Sequence, residues 1–275
     1  MTTKVVVLGG CGFIGRNLVT HLLDVGKYSI TIVDNLSVGA PFVSDAKMIV
    51  GDIRTITQLD ADVVINCAAQ CGVQQSMQDP KKDMETNVGG IVNLLQLSVK
   101  HTVKRFIQLS SFAVLTNRSF YGLSKQVGEL YCQMFSKIFG IETVVLRLSN
   151  VYGPYSEHKS SVIAKWVRQR KQGQPISVWG DGTQTRDFVF VGDVVETIEK
   201  AIATPLPKKH MVLPVCTGVD TMVQTVADSI SNKQVVTNEL PVGDGNCVVV
   251  DPLVTRELLG VGLHSLVCEK VMELI

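Results

Sequence analysis

The 275-residue chain has no excess of charge of either sign, since 26 basic residues face 25 acidic ones for a net charge of +1. It therefore lacks the electrostatic footprint of a partner for nucleic acid or an anionic membrane surface. The short basic clusters Lys208-Lys209 and Arg168–Lys171 read as solvated surface. Long apolar runs are missing as well, so no segment reads as a bilayer span. The N-terminus enters a β-branched run almost at once, and the expectation is that no signal peptide or membrane anchor is present. Seven cysteines (Cys11, Cys67, Cys71, Cys132, Cys216, Cys247 and Cys268) are scattered without a CxxC pair. They read as reduced, mostly core thiols of a cytoplasmic protein. The five histidines stand apart, and no metal site is expected. Repeats, low-complexity tracts and a flexible linker are also absent. With 45% hydrophobic residues, the chain can bury the core of one large or two modest domains.

Against that even background, KVVVLGGCGFIG at Lys4–Gly15 stands out. Lys4–Leu8 reads as a buried strand, and the apolar period turns helical from Phe13 through Leu22. Glycines between a strand and a helix let the backbone turn tightly and approach a pyrophosphate, with the positive end of the helix facing it. A second strand, Ser29–Val33, ends at Asp34, 19 residues beyond Gly15. An acid at that distance can hydrogen-bond a ribose 2′-hydroxyl. The pattern points to a dinucleotide.

YGLSK at Tyr121–Lys125 supplies a second signal. In a helix, Tyr121 and Lys125 lie one turn apart on one face. A lysine ammonium beside a phenol stabilises the phenolate, which lowers the tyrosine pKa toward the working range of an acid–base catalyst. On spacing alone, a half-exposed helical pair is the ordinary explanation.

Strands and helices alternate through the first half. Val63–Cys67, Arg105–Leu109 and Thr143–Leu148 read as strands, and Pro80–His101 and Tyr121–Phe139 as helices. This rhythm calls for an α/β fold with a parallel, doubly wound sheet and ligands at the carboxyl ends of its strands. The loops after Leu8, Val33, Val50, Cys67, Leu109 and Leu148 should line one crevice. Beyond Asn150, GDGT at Gly180–Thr183 and TPLP at Thr204–Pro207 break the rhythm. The expected organisation is a dinucleotide-binding domain over residues 1–150 and a smaller C-terminal lobe over 151–275, with segments around 185–200 returning to the core.

The ordered set GGCGFIG, DNLSVG at Asp34–Gly39, GDI at Gly51–Ile53, CAAQ at Cys67–Gln70, VKRFIQLSS at Val103–Ser111, YGLSK, LRLSNVYGP at Leu146–Pro154 and GDGTQTRDFVFVGDV at Gly180–Val194 resembles the extended short-chain dehydrogenases/reductases. The likeness is to their NAD-dependent nucleotide-sugar epimerase/dehydratase branch, UDP-glucose 4-epimerase-like, over about residues 4–200. It implies a Rossmann-type sheet and NAD as cofactor. It assigns Gly9, Gly12, Phe13, Ile14 and Gly15 to the pyrophosphate loop and Asp34 and Asn35 to the adenosine ribose. Asp52 and Ile53 would meet adenine, and Cys67, Ala68, Ala69, Gln70 and Thr86, beside Asn87, would border the cofactor. Ser111 would be the catalytic serine, Tyr121 the acid–base and Lys125 the lysine on the nicotinamide ribose. Asn150 and Arg186 would contact the substrate diphosphate. An arginine fork suits phosphate. The alternatives are an ion pair of Arg186 with Asp187 or Asp193 and a turn role for Asn150.

Departures from the family pattern bear on the reaction. Dehydratases carry acidic residues after the catalytic hydroxyl residue, whereas this chain has Phe112-Ala113-Val114-Leu115. The resemblance then implies NAD-dependent 4-epimerisation of a UDP-sugar. A nucleotide-sugar reductase, dehydrogenase or dehydratase, and an inactive NAD-binding sensor or scaffold, stay open. The stretch from Ser111 to Tyr121 is short, and Pro241–Asp244 lacks the arginine that the family often places there. The resemblance also implies a homodimer that pairs Asp83–His101 and Tyr121–Phe139 into a four-helix bundle, with Leu94, Leu95, Val127 and Leu130 either in that interface or buried against the sheet.

Overall fold

The computed structural model describes residues 2–39, 41, 44–116, 118–237, 248–264 and 266–275. Strand β1 (Thr3–Leu8) leads through the glycine turn into helix α1 (Phe13–Val25), which Gly26 ends in the left-handed region at φ 69°. Strands β2 (Tyr28–Asp34), β3 (Lys47–Val50) and β4 (Val63–Asn66) follow. Next come helix α2 (Val73–Gln78), helix α3 (Pro80–Met84), a π turn over Glu85–Gly89, and helix α4 (Gly90–Lys100). The segment expected as one helix over Pro80–His101 is therefore interrupted by a π turn and capped by His101. Asp79 starts it by accepting the Lys82 amide at 2.9 Å, with Pro80 at the first helical position.

Strand β5 (Arg105–Ser111), helix α5 (Phe120–Phe139) and strand β6 (Glu142–Leu148) complete the first half. Beyond them lie β7 (Asn150–Tyr152), α6 (Val162–Lys171), β8 (Ile176–Trp179), β9 (Thr185–Arg186), β10 (Phe188–Phe190) and α7 (Val191–Ala203). The chain continues through β11 (His210–Val215), β12 (Thr221–Met222), α8 (Val223–Ile230), β13 (Gln234–Thr237), α9 (Leu253–Leu259) and α10 (Val267–Lys270).

Seven parallel strands form the central sheet in the order β3-β2-β1-β4-β5-β6-β11. The fold is a Rossmann-like α/β sheet, as the alternation requires. Its inner strands are buried on both faces, which suits their near-continuous Val, Ile and Leu content. Leu8 pairs in register with Val33 and Asn66, Asn66 with Gln108, and Ser111 with Leu148. The carboxyl ends therefore form one edge.

On one face, Leu18, Val19 and Leu22 of α1 pack with Val194, Ile198 and Ala201 of α7 and Leu259 of α9. On the other, Ile91, Leu94 and Leu95 of α4 and Cys132 of α5 cover Val6, Val64, Phe106 and Val145. Leu94 and Leu95 are fully buried there, so they belong to the sheet contact and are removed from any outward bundle. A third core, with Trp166, Ile176, Val178, Phe188 and Val226, gathers α6, β8, β10 and α8. The strand that returns to the sheet is β11, later in the chain than 185–200, while α7 returns as a helix on its face.

Candidate active site

The helix α1 N-terminus faces the carboxyl edge of the sheet with no side chain capping it and no acid in its first turn. Its N-cap is Gly12, whose amide donates to the Gly9 carbonyl at 3.2 Å, while the amides of Phe13, Ile14 and Gly15 in the first turn remain for a ligand anion. Gly9 sits at φ +74°, where a Cβ would lie 2.7 Å from the Ala68 amide nitrogen. Only glycine lets the turn and the 67–70 loop approach so closely. This bare, positive cradle fits a dinucleotide pyrophosphate.

Asp34, 7% exposed, closes the cradle. Its Oδ2 accepts the Cys11 amide at 2.9 Å and its Oδ1 the Leu36 amide at 2.8 Å. The carboxylate thus fixes the glycine turn against the end of β2. Asn35 donates to Asp52 at 3.2 Å, which brings the two expected adenosine-side residues together. Arg54 also donates to Asp52, at 2.9 and 2.7 Å, and its guanidinium holds that carboxyl well below the usual carboxylate range. Ile53 is buried, 6% exposed, among the residues under α4.

The 67–70 loop is held from the π turn. Asn87 accepts the Gln70 amide at 2.8 Å and donates to the Gln70 carbonyl at 3.0 Å. The same carboxamide nitrogen reaches Asp83 Oδ1 at 3.0 Å and Ser124 Oγ at 3.1 Å. Thr86 is half-buried beside it, so the described contacts to the loop come from Asn87. Single π turns inside helices recur at functional sites because they re-aim side chains. Cys67, Ala68 and Ala69 run past Leu8, with the Cys67 amide donating to the Leu8 carbonyl at 2.9 Å. Burial pushes the Cys67 thiol up to about 12.

The ends of β5 and α5 bring Ser111, Tyr121 and Lys125 together. Ser111 Oγ accepts the Ala113 amide at 3.2 Å and starts a 3-10 turn over Phe112–Leu115. Ser119 caps α5 by accepting the Gly122 amide at 3.1 Å. A Cβ on Gly122 would lie 2.4 Å from the Ala113 carbonyl oxygen, so the glycine in YGLSK allows the helix to start against that turn. The short connection therefore positions the pair. Lys125 is 4% exposed; its ammonium lies 5.7 Å from the Tyr121 ring centroid and donates to the Leu109 carbonyl at 3.0 Å. Burial pushes the Tyr121 phenol up, and the Ser111 hydroxyl bonded to it acts in the opposite direction. Against the expectation of a phenol lowered by its lysine neighbour, exclusion of water is the largest influence on it in the protein alone. Burial likewise lowers Lys125, against the pull of Cys71, Asp83 and Cys67.

One turn past Lys125, Glu129 accepts Ser110 Oγ at 2.5 Å and the Arg147 guanidinium at 2.6 to 3.1 Å. It ties α5 to both β5 and β6. Asn150, the first residue of β7 and exposed, donates its side chain to the Asp187 carbonyl at 3.2 Å. Asp187 is fully buried and accepts from Ser149 Oγ, the Thr217 amide and hydroxyl, and the Gly218 amide at 2.7 to 3.0 Å. With its carboxylate oxygens so occupied, Asp187 anchors β9 and β10 beside the end of β6. Arg186 is half-buried there and donates to the Thr185 carbonyl at 2.7 Å. The stretch Pro241–Asp244 lies outside the described residues. Of the six described free cysteines only Cys11, Cys132 and Cys216 are buried, whereas Cys71 is exposed beside Tyr121 and Lys125.

Sequence reading did not single out Asp83, which packs against Asn87. It is 1% exposed, and its Oδ2 has no hydrogen-bond partner. The signal was present, because stepping back by four from Ile91 along the buried face of the helix gives Asn87 and then Asp83.

Residues 5–213 match the family described as "NAD dependent epimerase/dehydratase family". A Methanocaldococcus jannaschii protein that carries the provisional name of a UDP-glucose 4-epimerase is 34% identical over 254 residues, 83% of this chain and 82% of its own. The crystal structure of a Thermotoga maritima UDP-glucose 4-epimerase with UDP-glucose superposes with a TM-score of 0.89 at 27% identity, covering 98% of this chain and 96% of that one. A Thermus thermophilus UDP-glucose 4-epimerase in complex with NAD superposes with a TM-score of 0.86 at 25% identity and the same coverage. The chain therefore belongs to the NAD-dependent epimerase/dehydratase family of nucleotide-sugar enzymes, and its cofactor is NAD.

Proposed function

We propose that the protein catalyses reversible 4-epimerisation of a UDP-sugar. The observation that carries this reading is the meeting of Ser111, Tyr121 and Lys125 at the carboxyl end of β5, next to a 3-10 turn that bears no acid. Bound NAD supplies a hydride acceptor, the return of that hydride, and a positive charge that favours the phenolate. Tyr121 accepts the proton of the sugar 4-hydroxyl and later gives it back, while Ser111 orients that oxygen. Lys125, anchored on Leu109, holds the ribose side of the cofactor and keeps positive charge near the phenol. Rotation of the 4-keto sugar in the site would present its other face to the hydride that the bound cofactor would return. Without a carboxylate on Phe112–Leu115, no group there is placed to remove water from the sugar.

In this reading, residues 151–275 supply the sugar-nucleotide lobe, with Arg186 on the diphosphate and Asn150 close to it. Among the described residues, all six cysteines are free and no helix is long and apolar enough to cross a membrane, in line with a cytoplasmic enzyme. A homodimer through α5 is part of the same proposal.

The test is incubation of purified protein with UDP-glucose or UDP-N-acetylglucosamine, without added reductant. Formation of the 4-epimer with no net change in NAD is the expected result. Net cofactor turnover would instead assign a reductase or dehydrogenase. Bound NAD with neither product would assign a sensor or scaffold.

A further inference from the structure

The site contains a carboxylate that the proposed chemistry does not use. Asp83 lies on α3, 1% exposed, and α3 packs against α5. Its Oδ1 is held by Asn87 at 3.0 Å, and Oδ2 has no hydrogen-bond partner. Asn87 also reaches Ser124 Oγ at 3.1 Å, and Ser124 donates to the Tyr121 carbonyl at 3.1 Å. Asp83 is thus linked through two side chains to the turn of α5 that carries Tyr121 and Lys125. A buried carboxylate with one oxygen unsatisfied is costly unless a positive charge compensates it. The cation acting on it is Lys125, itself buried and bonded only to a neutral carbonyl among the hydrogen bonds described.

We propose that Asp83 is a positioning residue: the buried counter-charge that keeps the Lys125 ammonium protonated and seated behind Tyr121. This rests on the reading of Tyr121 and Lys125 as the working pair. The groups facing Lys125 from the packed elements are Cys67 and Cys71 of the loop after β4, Asp83 of α3 and Lys159 of the loop after β7, together with Tyr121 on its own helix. Cys67, pushed up to about 12, is a neutral thiol at working pH, and Lys159 carries the wrong sign. Asp83 is the carboxylate in this set. Burial pushes its own carboxyl up, while Ser124 and Lys125 pull it down. The sign of the effect follows. A carboxylate beside an ammonium raises the pH at which the ammonium loses its proton. Without Asp83, Lys125 becomes neutral at lower pH, and both the phenolate and the hydrogen bond to the cofactor ribose weaken from the alkaline side.

Asp83→Asn keeps shape and an acceptor for Asn87 while removing the charge. The pH dependence of kcat for the epimerisation and the NAD affinity by calorimetry are measured over the same pH series for the wild type, D83N and Cys71→Ser. In D83N the alkaline limb of kcat is expected to move down by about one pH unit, so that activity at the alkaline end falls about tenfold. NAD affinity should fall over the same range, while both quantities at neutral pH stay within about threefold. A merely structural role would lower kcat at every pH and leave the limb in place. An unmoved limb in D83N, or a limb moved by Cys71→Ser in its place, overturns the proposal. If D83N does not fold, Asp83→Ser is held to the same outcomes. Tyr121→Phe is the separate control: an active Tyr121→Phe enzyme defeats the reading of the site, whereas an inactive one beside an unmoved D83N limb defeats only the role of Asp83.

Discussion

Asp34 holds two backbone amides and is nearly buried, so its charge is fixed at the end of β2 where an adenosine ribose would lie. A 2′-phosphate there would meet a carboxylate that cannot swing away. NAD should bind at least about tenfold more tightly than its 2′-phosphorylated analogue, a difference of about 1.4 kcal/mol. Titration calorimetry with both cofactors checks this, and equal affinity would sink it. Tyr121→Phe removes one hydroxyl and little packing. It should cut kcat by about 10²–10⁴-fold while NAD binding persists. Near-normal turnover in steady-state assays would show that another group moves the proton. Arg186→Ala should weaken UDP binding by about 1.5–3 kcal/mol, the range for a hydrogen bond to a charged group, and leave NAD affinity unchanged. Unchanged UDP binding in the folded variant would reduce Arg186 to an internal contact.

At the scale of elements, helix α5 does two jobs on two faces. Its inner face carries Lys125, Glu129 and Cys132, all buried. Its outer face leaves Leu123 53%, Leu130 55%, Met134 47% and Ile138 61% exposed, spaced so that they share one side. A stripe of this kind on a helix is best covered by a second helix, and the symmetric solution is a second copy of α5. The wild type should sediment as a dimer at micromolar concentration, and Leu130→Glu with Ile138→Glu as a monomer. A monomeric wild type would refute the bundle. Helix periodicity made α1, α4 and α5 readable, because Leu and Ile recur on one face of each. It could not say which of two apolar faces meets the sheet, which is why Leu94 and Leu95 stood open between interface and core. Nor could it show the π turn, since Glu85–Gly89 fits an α pattern and is set apart only by backbone geometry.

For the whole molecule, β1, β2, β4, β5 and β6 were legible as short apolar runs, but the order in which they pair was not. The seventh strand was harder to see. β11 contains Pro214, a residue confined to sheet edges because it offers no amide to a ladder, and the strand indeed lies at the edge. The Ser–Tyr–Lys cluster was legible because two of its members share one helix turn. Asp83 and Glu129 were not, because their roles depend on contacts between elements distant in sequence. The proposed function divides the molecule between two ligands. Gly9–Gly15, Asp34, the 67–70 loop and Asn87 all belong to the first half of the sheet. Asn150 and Arg186 stand instead where β7 and β9 are tied to the sheet through Asp187 and Ser149. NAD alone, at a hundred times its dissociation constant, should add about 2.7 kcal/mol to global stability. In hydrogen exchange beyond that global gain, it should slow amides at 9–15, 34–36 and 67–71. UDP should slow amides at 150–152 and 185–190, which the cofactor leaves at their unliganded rates. If NAD alone protected 185–190 as fully as UDP does, the second half would not hold a separate nucleotide-sugar subsite, and Arg186 would belong to the cofactor.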